Sequence, residues 1–230
     1  MPRLSIIIPV YNEKNTILEI LSRVDKIDLG TTEKEIIIVD DYSTDGTREL
    51  LKSLGMKYKI YYQEKNQGKG STLRTGFAYT TGDWVVVQDA DLEYDPNDFK
   101  NMLSKMKEHG VQVVFGSRRL HSNYLSNRHS GHIFALGGVF LTWLTNLLYN
   151  TGISDEPTCY KMFQTSLLKS LNLTCIRFEF CPEVTSKIAK RGIKIYEVPI
   201  SYNPRHKNEG KKINWRDGFE AIWVLIKNRF

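Results

Sequence analysis

Short apolar runs, rich in Val and Ile, recur through the first half of the chain. Their apolar residues follow one another directly instead of alternating with polar ones, which is typical of parallel strands covered on both faces. We predict five such strands, at residues 4–10, 35–41, 57–64, 83–91 and 111–118.

Segments with helical spacing of apolar residues lie between these strands. Ile17, Leu21 and Val24 form one such face, with Asn12 as a candidate N-cap, and Pro96 stands in the first turn of another helix. This alternation of strand and helix predicts an α/β fold with a Rossmann-like, doubly wound and mostly parallel sheet. In such sheets, ligands bind outside the carboxyl ends of the strands.

The second half of the chain has a different pattern. Further strands are predicted within 158–163 and 193–202, and a short helix at 181–192. Residues 131–149 form an apolar segment that is too short and too interrupted by Gly and Thr to span a membrane. Trp143 favours a helix in a membrane interface, and a helix buried in the core is the alternative. Residues 215–230 form a second amphipathic helix, in which Trp223 and Ile226 indicate another interfacial segment.

Composition and charge narrow the class of protein. The 230 residues include 41% hydrophobic residues and carry a formal net charge of +6, which is ordinary for a globular protein. Residues 187–216 contain nine Lys or Arg and two Glu, and this basic stretch favours an anionic partner. Nucleic acid is the generic alternative, and we expect none because the first half of the chain carries acids at its predicted strand ends.

The cysteines and the N-terminus point to a reducing compartment. Cys159, Cys175 and Cys181 form no C-x-x-C pair, so we expect neither a disulfide nor a zinc site. The first apolar run is too short for a signal peptide and reads as a strand. We therefore expect a cytoplasmic protein.

Four aspartates follow predicted strand ends. Asp40 and Asp41 follow the second strand, and Asp89 and Asp91 follow the fourth. An Asp-x-Asp pair on an extended segment places both carboxylates on the same side, and such oxygens suit Mg²⁺ or Mn²⁺. The alternative is a turn with helix-capping acids, as we expect for Asp95.

Several ordered motifs carry a family resemblance. "PVYNE", "VDDYSTDGT", "NQGKG" and "QDADLE" each stand at a predicted strand end, and "FGSR", "DEPTCYKMF", "EVPISYNPR" and "EGKKINWRDG" follow in the second half. The chain thus resembles the family 2 glycosyltransferases of the GT-A fold. Within that family it is similar to the polyprenyl-phosphate sugar synthases, which include the dolichol-phosphate mannose and glucose synthases.

The resemblance implies a donor site for a nucleotide-diphosphate sugar. Tyr11 is placed to stack on the base, and the Gly-Lys-Gly segment is placed to bring a cation to a phosphate. The implied donor-binding residues are Pro9, Tyr11, Glu13, Val39, Asp40, Asp41, Gly68, Lys69, Gly70, Asp89 and Ala90. The implied metal ligands are Asp89, Asp91 and Glu93, with Mg²⁺ or Mn²⁺ as the cofactor.

The resemblance also implies an acceptor site for a lipid phosphate. Arg118, Arg119 and Arg128 match acceptor-phosphate positions, and Arg205 matches an arginine on a loop near the donor. A phosphate monoester is mostly dianionic at pH 7, so the attack needs no strong general base. We expect Asp91, Arg118, Arg128 and Arg205 to be the catalytic residues. Asp155 is expected to contact the sugar or the acceptor.

The expected function is therefore transfer, with inversion, of one hexose to a polyprenyl (dolichyl or undecaprenyl) phosphate. Residues 1–118 would bind the nucleotide sugar and residues 119–230 the acceptor, within one continuous domain. GDP-mannose, UDP-glucose and UDP-N-acetylhexosamine stay open as donors. Tyr160 and Lys161, which stand where Phe and Arg are common in mannose synthases, disfavour mannose.

The expected location is the cytosolic face of a membrane. Because no apolar stretch follows residue 230, we expect peripheral attachment, or attachment through a membrane-anchored partner subunit.

Three other functions compete with this one. A family 2 transferase acting on a soluble glycan or a protein hydroxyl would need a general base, and the sequence offers no convincing one. A sugar-nucleotide pyrophosphorylase would have a Gly-rich first loop, which "PVYNEKN" is not. A non-catalytic nucleotide-sugar-binding subunit would not need the acidic motif together with the arginines.

Overall fold

The computed structural model describes residues 1–120, 132–205 and 215–230. Seven strands form one sheet in the order β3-β2-β1-β4-β6-β5-β7. The strands are β1 Arg3–Val10, β2 Glu33–Asp40, β3 Lys59–Tyr62, β4 Trp84–Val87, β5 Val113–Ser117, β6 Lys161–Gln164 and β7 Tyr196–Pro199. The neighbouring pairs are parallel except β4 with β6 and β5 with β6.

Helices cover both faces of this sheet. They are α1 Ile17–Lys26, α2 Thr47–Ser53, α3 Lys69–Ala78, α4 Phe99–Met106, α5 His132–Tyr149, α6 Thr165–Ser170, α7 Phe180–Lys190 and α8 Trp215–Arg229. The predicted doubly wound, mostly parallel α/β sheet is confirmed.

The consecutive apolar residues of the strands supply two cores. In β1, Ile6 and Ile8 point to the face covered by α1 and α4, and Ile7 points to the face where Leu73 and Phe77 of α3 pack. Successive side chains of a strand point to opposite faces, so a strand covered on both sides needs an unbroken apolar run. All three isoleucines are fully buried, which stabilises the fold by roughly 1.5–3 kcal/mol each.

The loop after β1 differs from the prediction. Asn12 does not cap α1, which begins at Ile17 after Thr16. Asn12 instead adopts a left-handed conformation with φ of 51°, and its side-chain oxygen accepts a hydrogen bond of 2.8 Å from the backbone N–H of Thr44. This contact ties the loop after β1 to the loop after β2.

Strands from both halves of the chain share the sheet. β6 lies between β4 and β5, where Phe163 faces Val85 on one side and Val113 on the other. β7 closes the sheet beside β5. The carboxyl ends of β1, β2 and β4 and the segments that precede β6 and follow β7 are thereby brought to one edge.

The two amphipathic helices lie on the surface. Thr142 and Thr145 of α5 are buried, and the opposite face of that helix exposes a continuous apolar stripe. The exposed residues of α5 are Leu136, Val139, Phe140, Trp143 and Leu147. The prediction of a helix buried in the core is therefore wrong. On α8 the exposed apolar residues are Trp215, Phe219, Trp223 and Ile226.

Membrane-spanning helices were also considered. Within the described residues, no helix combines the length and the apolarity needed to cross a bilayer.

Candidate functional site

A cavity of about 1840 Å³ opens at the carboxyl edge of β1, β2 and β4. Its walls combine residues of both halves of the chain, including most of the side chains that the sequence singled out. The predicted residues that line it are Pro9, Tyr11, Glu13, Asp41, Gly68, Lys69, Asp89, Ala90, Asp91, Glu93, Arg118, Arg119 and Arg205.

Three of the predicted donor residues do not line this cavity, namely Val39, Asp40 and Gly70. Val39 is fully buried in the core beside α3. Asp40 is also fully buried, and its carboxylate forms an ion pair of 3.0 Å with Nε of Arg48. It also accepts a hydrogen bond from the backbone N–H of Ser43. Val39 and Asp40 therefore shape the end of β2 from inside the fold and do not touch a ligand in the cavity.

The glycines of the Gly-Lys-Gly segment serve close packing. A Cβ on Gly68, whose φ is +89°, would lie 2.7 Å from the carbonyl oxygen of Ile176. A Cβ on Gly70, which does not line the cavity, would lie 2.8 Å from the backbone of Cys175. The start of α3 thus approaches the segment before α7 more closely than a side chain allows. The Gly-Lys-Gly segment is therefore packed in place.

Asp41 holds this segment from the other side. Its two carboxylate oxygens accept hydrogen bonds of 2.7 and 2.8 Å from the backbone N–H groups of Gln67 and Gly68. Burial raises the pKa of Asp41 above its usual value, although these hydrogen bonds oppose the shift. Asp41 therefore positions the residue that follows, Lys69.

Lys69 places an ammonium group in the acidic part of the cavity. Its Nζ lies 2.6 Å from Oδ1 of Asp89 and 3.2 Å from Sγ of Cys159. Burial alone would lower the pKa of Lys69, but the carboxylate of Asp89 outweighs burial and raises it. The ion pair gives the site a fixed cation before any substrate binds.

Asp91 is held in an unfavourable environment for a carboxylate. Burial raises its pKa to about 7, and the neighbouring charges of Asp89 and Glu93 add to the shift. A bound cation would relieve both effects, because it supplies the charge that the buried carboxylates lack. The electrostatics of the segment thus fit a divalent cation.

The carboxylate of Glu93 already accepts two hydrogen bonds from the chain after β7. One of 3.0 Å comes from the hydroxyl of Tyr202, and one of 2.8 Å comes from the backbone N–H of Arg205. Within residues 1–120, 132–205 and 215–230, no group of three His, Cys, Asp or Glu side chains is arranged as a metal site. The oxygen ligands available fit a cation held by Asp89, Asp91 and substrate phosphates, which is the usual arrangement for Mg²⁺. They do not fit a site made of protein ligands alone with Glu93 among them.

Arg205 connects three parts of the site. Its Nε donates a hydrogen bond of 2.6 Å to the backbone carbonyl of Asp91, and its Nη2 lies 2.7 Å from a carboxylate oxygen of Glu13. With its backbone bond to Glu93, this arginine joins the loop after β1, the acidic segment and the chain after β7. Arg205 thus lies at the polar end of the cavity, between Glu13 and the acidic segment.

Arg118 is held by a buried carboxylate. Asp155 accepts hydrogen bonds of 2.7 and 2.8 Å from Nε and Nη2 of Arg118, and one of 3.0 Å from its backbone N–H. Burial favours the neutral acid, but Arg118 outweighs it and holds the pKa of Asp155 below its usual range. Asp155 is completely inaccessible to solvent. The expected contact of Asp155 with sugar or acceptor is therefore replaced by a positioning role.

Two further arginines were expected beside Arg118. Nη1 of Arg119 donates a hydrogen bond of 2.8 Å to the carbonyl oxygen of Ser154, and the side chain lines the cavity next to α5. Arg128 lies outside the described residues.

Sequence reasoning missed the role of Tyr202. Its ring lies 5.0 Å from the guanidinium of Arg118, and its hydroxyl bonds to Glu93. This tyrosine thus links the acidic segment to the acceptor arginine. It stands in the "EVPISYNPR" motif, and its neighbour Arg205 was the signal that could have drawn attention to it.

Two departures from the family pattern lie in the core. The hydroxyl of Tyr160 donates a hydrogen bond of 2.6 Å to Gln88, and Nζ of Lys161 donates one of 2.7 Å to the backbone carbonyl of Glu156. Both side chains are fully buried and neither lines the cavity. The argument from these positions against mannose therefore has no basis in the geometry of the site.

Apolar side chains of two helices line other parts of the cavity, beside charged residues such as Arg177 and Asp217. Leu136 and Phe140 of α5 line one side, and Phe219 and Ile222 of α8 line another. The side chains of α5 and α8 thus continue the wall of the cavity from the polar strand ends to the solvent.

Comparisons with known proteins agree with this architecture. A model of the family described as "Glycosyl transferase family 2" matches residues 5–171. The dolichol-phosphate mannosyltransferase of Pyrococcus furiosus is 29% identical over 211 residues, which are 91% of this chain and 59% of that protein. The undecaprenyl-phosphate 4-deoxy-4-formamido-L-arabinose transferase of Edwardsiella ictaluri is 26% identical over 90% of this chain and 62% of its own length. The chain spans about three fifths of the length of these relatives.

Solved structures share the fold. The glucosyl-3-phosphoglycerate synthase of Mycobacterium tuberculosis, in complex with Mn²⁺, UDP and phosphoglyceric acid, superposes with a TM-score of 0.72 at 20% identity. The match covers 99% of this chain and 78% of that one. Another structure of the same enzyme contains Mg²⁺ and UDP. The likeness establishes the GT-A fold.

Proposed function

The chain belongs to glycosyl transferase family 2, and from this membership and the geometry of its cavity we propose that it transfers a hexose from a nucleotide-diphosphate sugar to a polyprenyl phosphate. One observation carries the choice of acceptor. A single cavity joins the acidic strand ends to the apolar faces of α5 and α8. An acceptor with a phosphate head and an apolar tail matches both parts of that cavity.

The donor occupies the polar end. Tyr11 and Asp41 line this end, and Lys69 supplies the fixed ammonium. Asp89 and Asp91 are the residues that would hold a divalent cation, which stabilises the charge on the leaving nucleoside diphosphate. The Mn²⁺ and Mg²⁺ complexes of the mycobacterial enzyme with UDP support a requirement for such a cation.

The acceptor phosphate binds between the two ends. Arg118 and Arg119 line the cavity there, and the fork from Arg118 to Asp155 does not use Nη1. Guanidinium groups suit phosphate because their planar donors can bind two oxygens. An oxygen of the dianionic phosphate attacks the anomeric carbon, the bond to the nucleoside diphosphate breaks, and the configuration inverts. Arg205, held against Asp91 and Glu13, orients the donor.

The lipid tail follows the apolar wall. Leu136 and Phe140 of α5 and Phe219 and Ile222 of α8 line this part of the cavity. Trp143 is 56% exposed and Trp223 is 62% exposed, each on an otherwise apolar stripe. Such faces insert into the headgroup region of a bilayer. We place the protein peripherally on the cytosolic face of a membrane, alone or with a membrane-anchored subunit.

The names of the relatives support this acceptor class. One is a dolichol-phosphate mannosyltransferase and another an undecaprenyl-phosphate arabinose-derivative transferase. Because the core positions Tyr160 and Lys161 do not touch the cavity, GDP-mannose stays open beside UDP-glucose and UDP-N-acetylhexosamine.

The test is a donor and acceptor matrix. Purified protein with Mn²⁺ or Mg²⁺ is incubated with each donor and with farnesyl phosphate in detergent, and the released nucleoside diphosphate is measured. Controls omit the lipid, omit the metal, or replace the lipid by 3-phosphoglycerate. We expect release from one donor only, and only with lipid and metal present. Equal release with 3-phosphoglycerate would move the function to a soluble phosphorylated acceptor.

A further inference from the structure

Two of the three cysteines meet in the wall of the cavity. Cys159 stands just before β6, and Cys181 stands in the first turn of α7, so they come from separate elements. Both line the cavity. Sγ of Cys181 lies 3.4 Å from the carbonyl oxygen of Thr158, the residue before Cys159, so the two cysteines are close in space.

We propose that Cys159 and Cys181 form a dithiol modification site, which a hydroperoxide converts into a disulfide beside Lys69. The pairing of two thiols on different elements, both at the cavity, is the observation that carries this proposal. The expectation from sequence that no disulfide forms was based on spacing along the chain, which cannot show contacts made by folding.

The surroundings favour reaction at Cys181. The hydrogen bond from Cys159 and the ammonium groups of Lys161 and Lys69 stabilise a thiolate there, and they lower the pKa of Cys181 although burial opposes the shift. A thiolate is the reactive form of cysteine. Cys175 provides a contrast, because burial and the carboxylate of Glu183 raise the pKa of that thiol.

The proposed oxidation has two steps. The Cys181 thiolate attacks the terminal oxygen of a hydroperoxide, the O–O bond breaks, and the alcohol leaves with one proton while a sulfenic acid forms. The sulfur of Cys159 then attacks the sulfenic sulfur. The S–S bond forms, and the hydroxyl leaves as water with the Cys159 proton. Two thiols are oxidised and one peroxide is reduced.

The modification bears on the donor site. Lys69 donates to Sγ of Cys159 and pairs with Asp89, so a disulfide at Cys159 alters the environment of the ammonium group. This consequence for donor binding rests on the proposed function, whereas the formation of the disulfide does not.

The test counts thiols and maps peptides without any substrate. Reduced protein is treated with hydrogen peroxide in modest excess, denatured, alkylated and digested. The chain has three cysteines, all reduced at the start. We expect one alkylated cysteine, Cys175, and one cross-linked peptide pair containing Cys159 and Cys181, which a dithiol reductant separates. Cys175→Ser is the matched control and should form the same cross-link.

Two results would overturn the proposal. One is that Cys159 and Cys181 both remain alkylatable after treatment, or are oxidised only to sulfinic and sulfonic acids. The other is that Cys175→Ser abolishes the cross-link. The first result needs wild-type protein only, so a folding defect of a variant cannot obscure it, and both results are independent of the transfer assay.

Discussion

The polar and the apolar ends of the cavity differ in the interactions that organise them. At the polar end, Asp41, Lys69, Asp89 and Arg205 are fixed by ion pairs and hydrogen bonds of 2.6 to 2.8 Å. At the other end, α5 and α8 present exposed side chains such as Phe219, which is 67% exposed. The first end is organised before a ligand arrives, while the second offers surface that only an apolar partner can bury.

This difference fits the two substrates that we propose. A diphosphate needs groups that are already oriented, because reorganising charges during the reaction is unfavourable. A flexible polyprenyl tail needs only apolar area along its length. Changes at the polar end should therefore affect turnover strongly, and changes at the apolar end should affect affinity mildly.

The largest effect is expected at Asp89 and Asp91. Asp89→Asn or Asp91→Asn should lower turnover about 100-fold or more, because each removes a carboxylate that would hold the cation. The measurement is steady-state release of nucleoside diphosphate with saturating metal. Asp83→Asn, at the opposite end of β4, is the matched control and should keep full activity. Asp83 does not line the cavity, and its carboxylate accepts a hydrogen bond from the backbone N–H of Arg3. Equal activity of all three variants would place the metal elsewhere.

The next effect concerns the pair that holds Arg118. Asp155→Asn leaves a largely buried guanidinium without its charge partner, so we expect the free energy of unfolding to fall by roughly 3 kcal/mol at pH 7. Glu33→Gln breaks the solvent-exposed pair with Arg3 and should leave the free energy of unfolding nearly unchanged. Urea denaturation measures both.

The ion pair of Asp155 with Arg118 also predicts how the free energy of unfolding depends on pH. The folded pKa of Asp155 lies below its ordinary value of 3.8, so its stabilising contribution is present above that pH and is lost as the pH falls through the folded value. The difference between wild type and Asp155→Asn should therefore shrink in acid. A difference that is constant down to pH 2 would contradict the ionic role.

The contribution of Glu156 to stability should depend on pH in the opposite direction. Burial raises the pKa of Glu156 to about 8. Cys181 and Asp155 add to this shift, and the ammonium of Lys161 opposes it only in part. The unfolded chain releases this proton above about pH 4.5, while the folded protein keeps it until about pH 8. This group therefore lowers stability as the pH rises through that window, by on the order of 1 kcal/mol per pH unit.

Glu156→Gln tests this statement, because the amide stays neutral. We expect the variant to match the wild type near pH 5 and to be more stable at pH 8, as measured by thermal unfolding at several pH values. Glu183→Gln is the control, since Glu183 accepts bonds from Cys175 and Lys187 and has a lowered pKa. That variant should be less stable at neutral pH. Parallel curves for wild type and Glu156→Gln would refute the buried neutral acid.

The smallest effect is expected at the apolar end. Trp143→Ser and Phe219→Ser each remove an exposed aromatic side chain, and we expect each to weaken binding to phospholipid vesicles roughly 10-fold without loss of stability. Vesicle co-sedimentation provides the measurement. Leu18→Ser, an exposed position on α1, should bind vesicles as the wild type does. If all three variants bind alike, the helical faces do not contact the membrane.

Much of the fold follows from local patterns. The runs around Ile6, Ile37 and Val86 are consecutive because the sheet is covered on both faces, so the sequence reveals them. The antiparallel position of β6 depends on pairing with β4 and β5, which are distant in sequence, and no local signal specifies it.

The site was predictable where a motif supplies a ligand-facing side chain. Asp89, Asp91 and Arg118 fall in this class, and all line the cavity. Asp40 was not distinguishable from Asp41 in the sequence. Both are buried, and only the fold shows that Asp40 pairs with Arg48 while Asp41 lines the cavity. The roles of Asp155 and Tyr202 arise from contacts with Arg118 that tertiary packing creates.

The most direct test of the central claim is the dependence of transfer on the length of the acceptor tail. Wild-type protein is assayed with a series of phosphate monoesters that share the head group and carry from one to several isoprene units, with the donor fixed. If one cavity holds the diphosphate at its polar end and the tail between α5 and α8, kcat/KM rises with each of the first few units and then levels off. A kcat/KM that is independent of tail length would contradict the account, because the apolar end would then have no part in binding the acceptor.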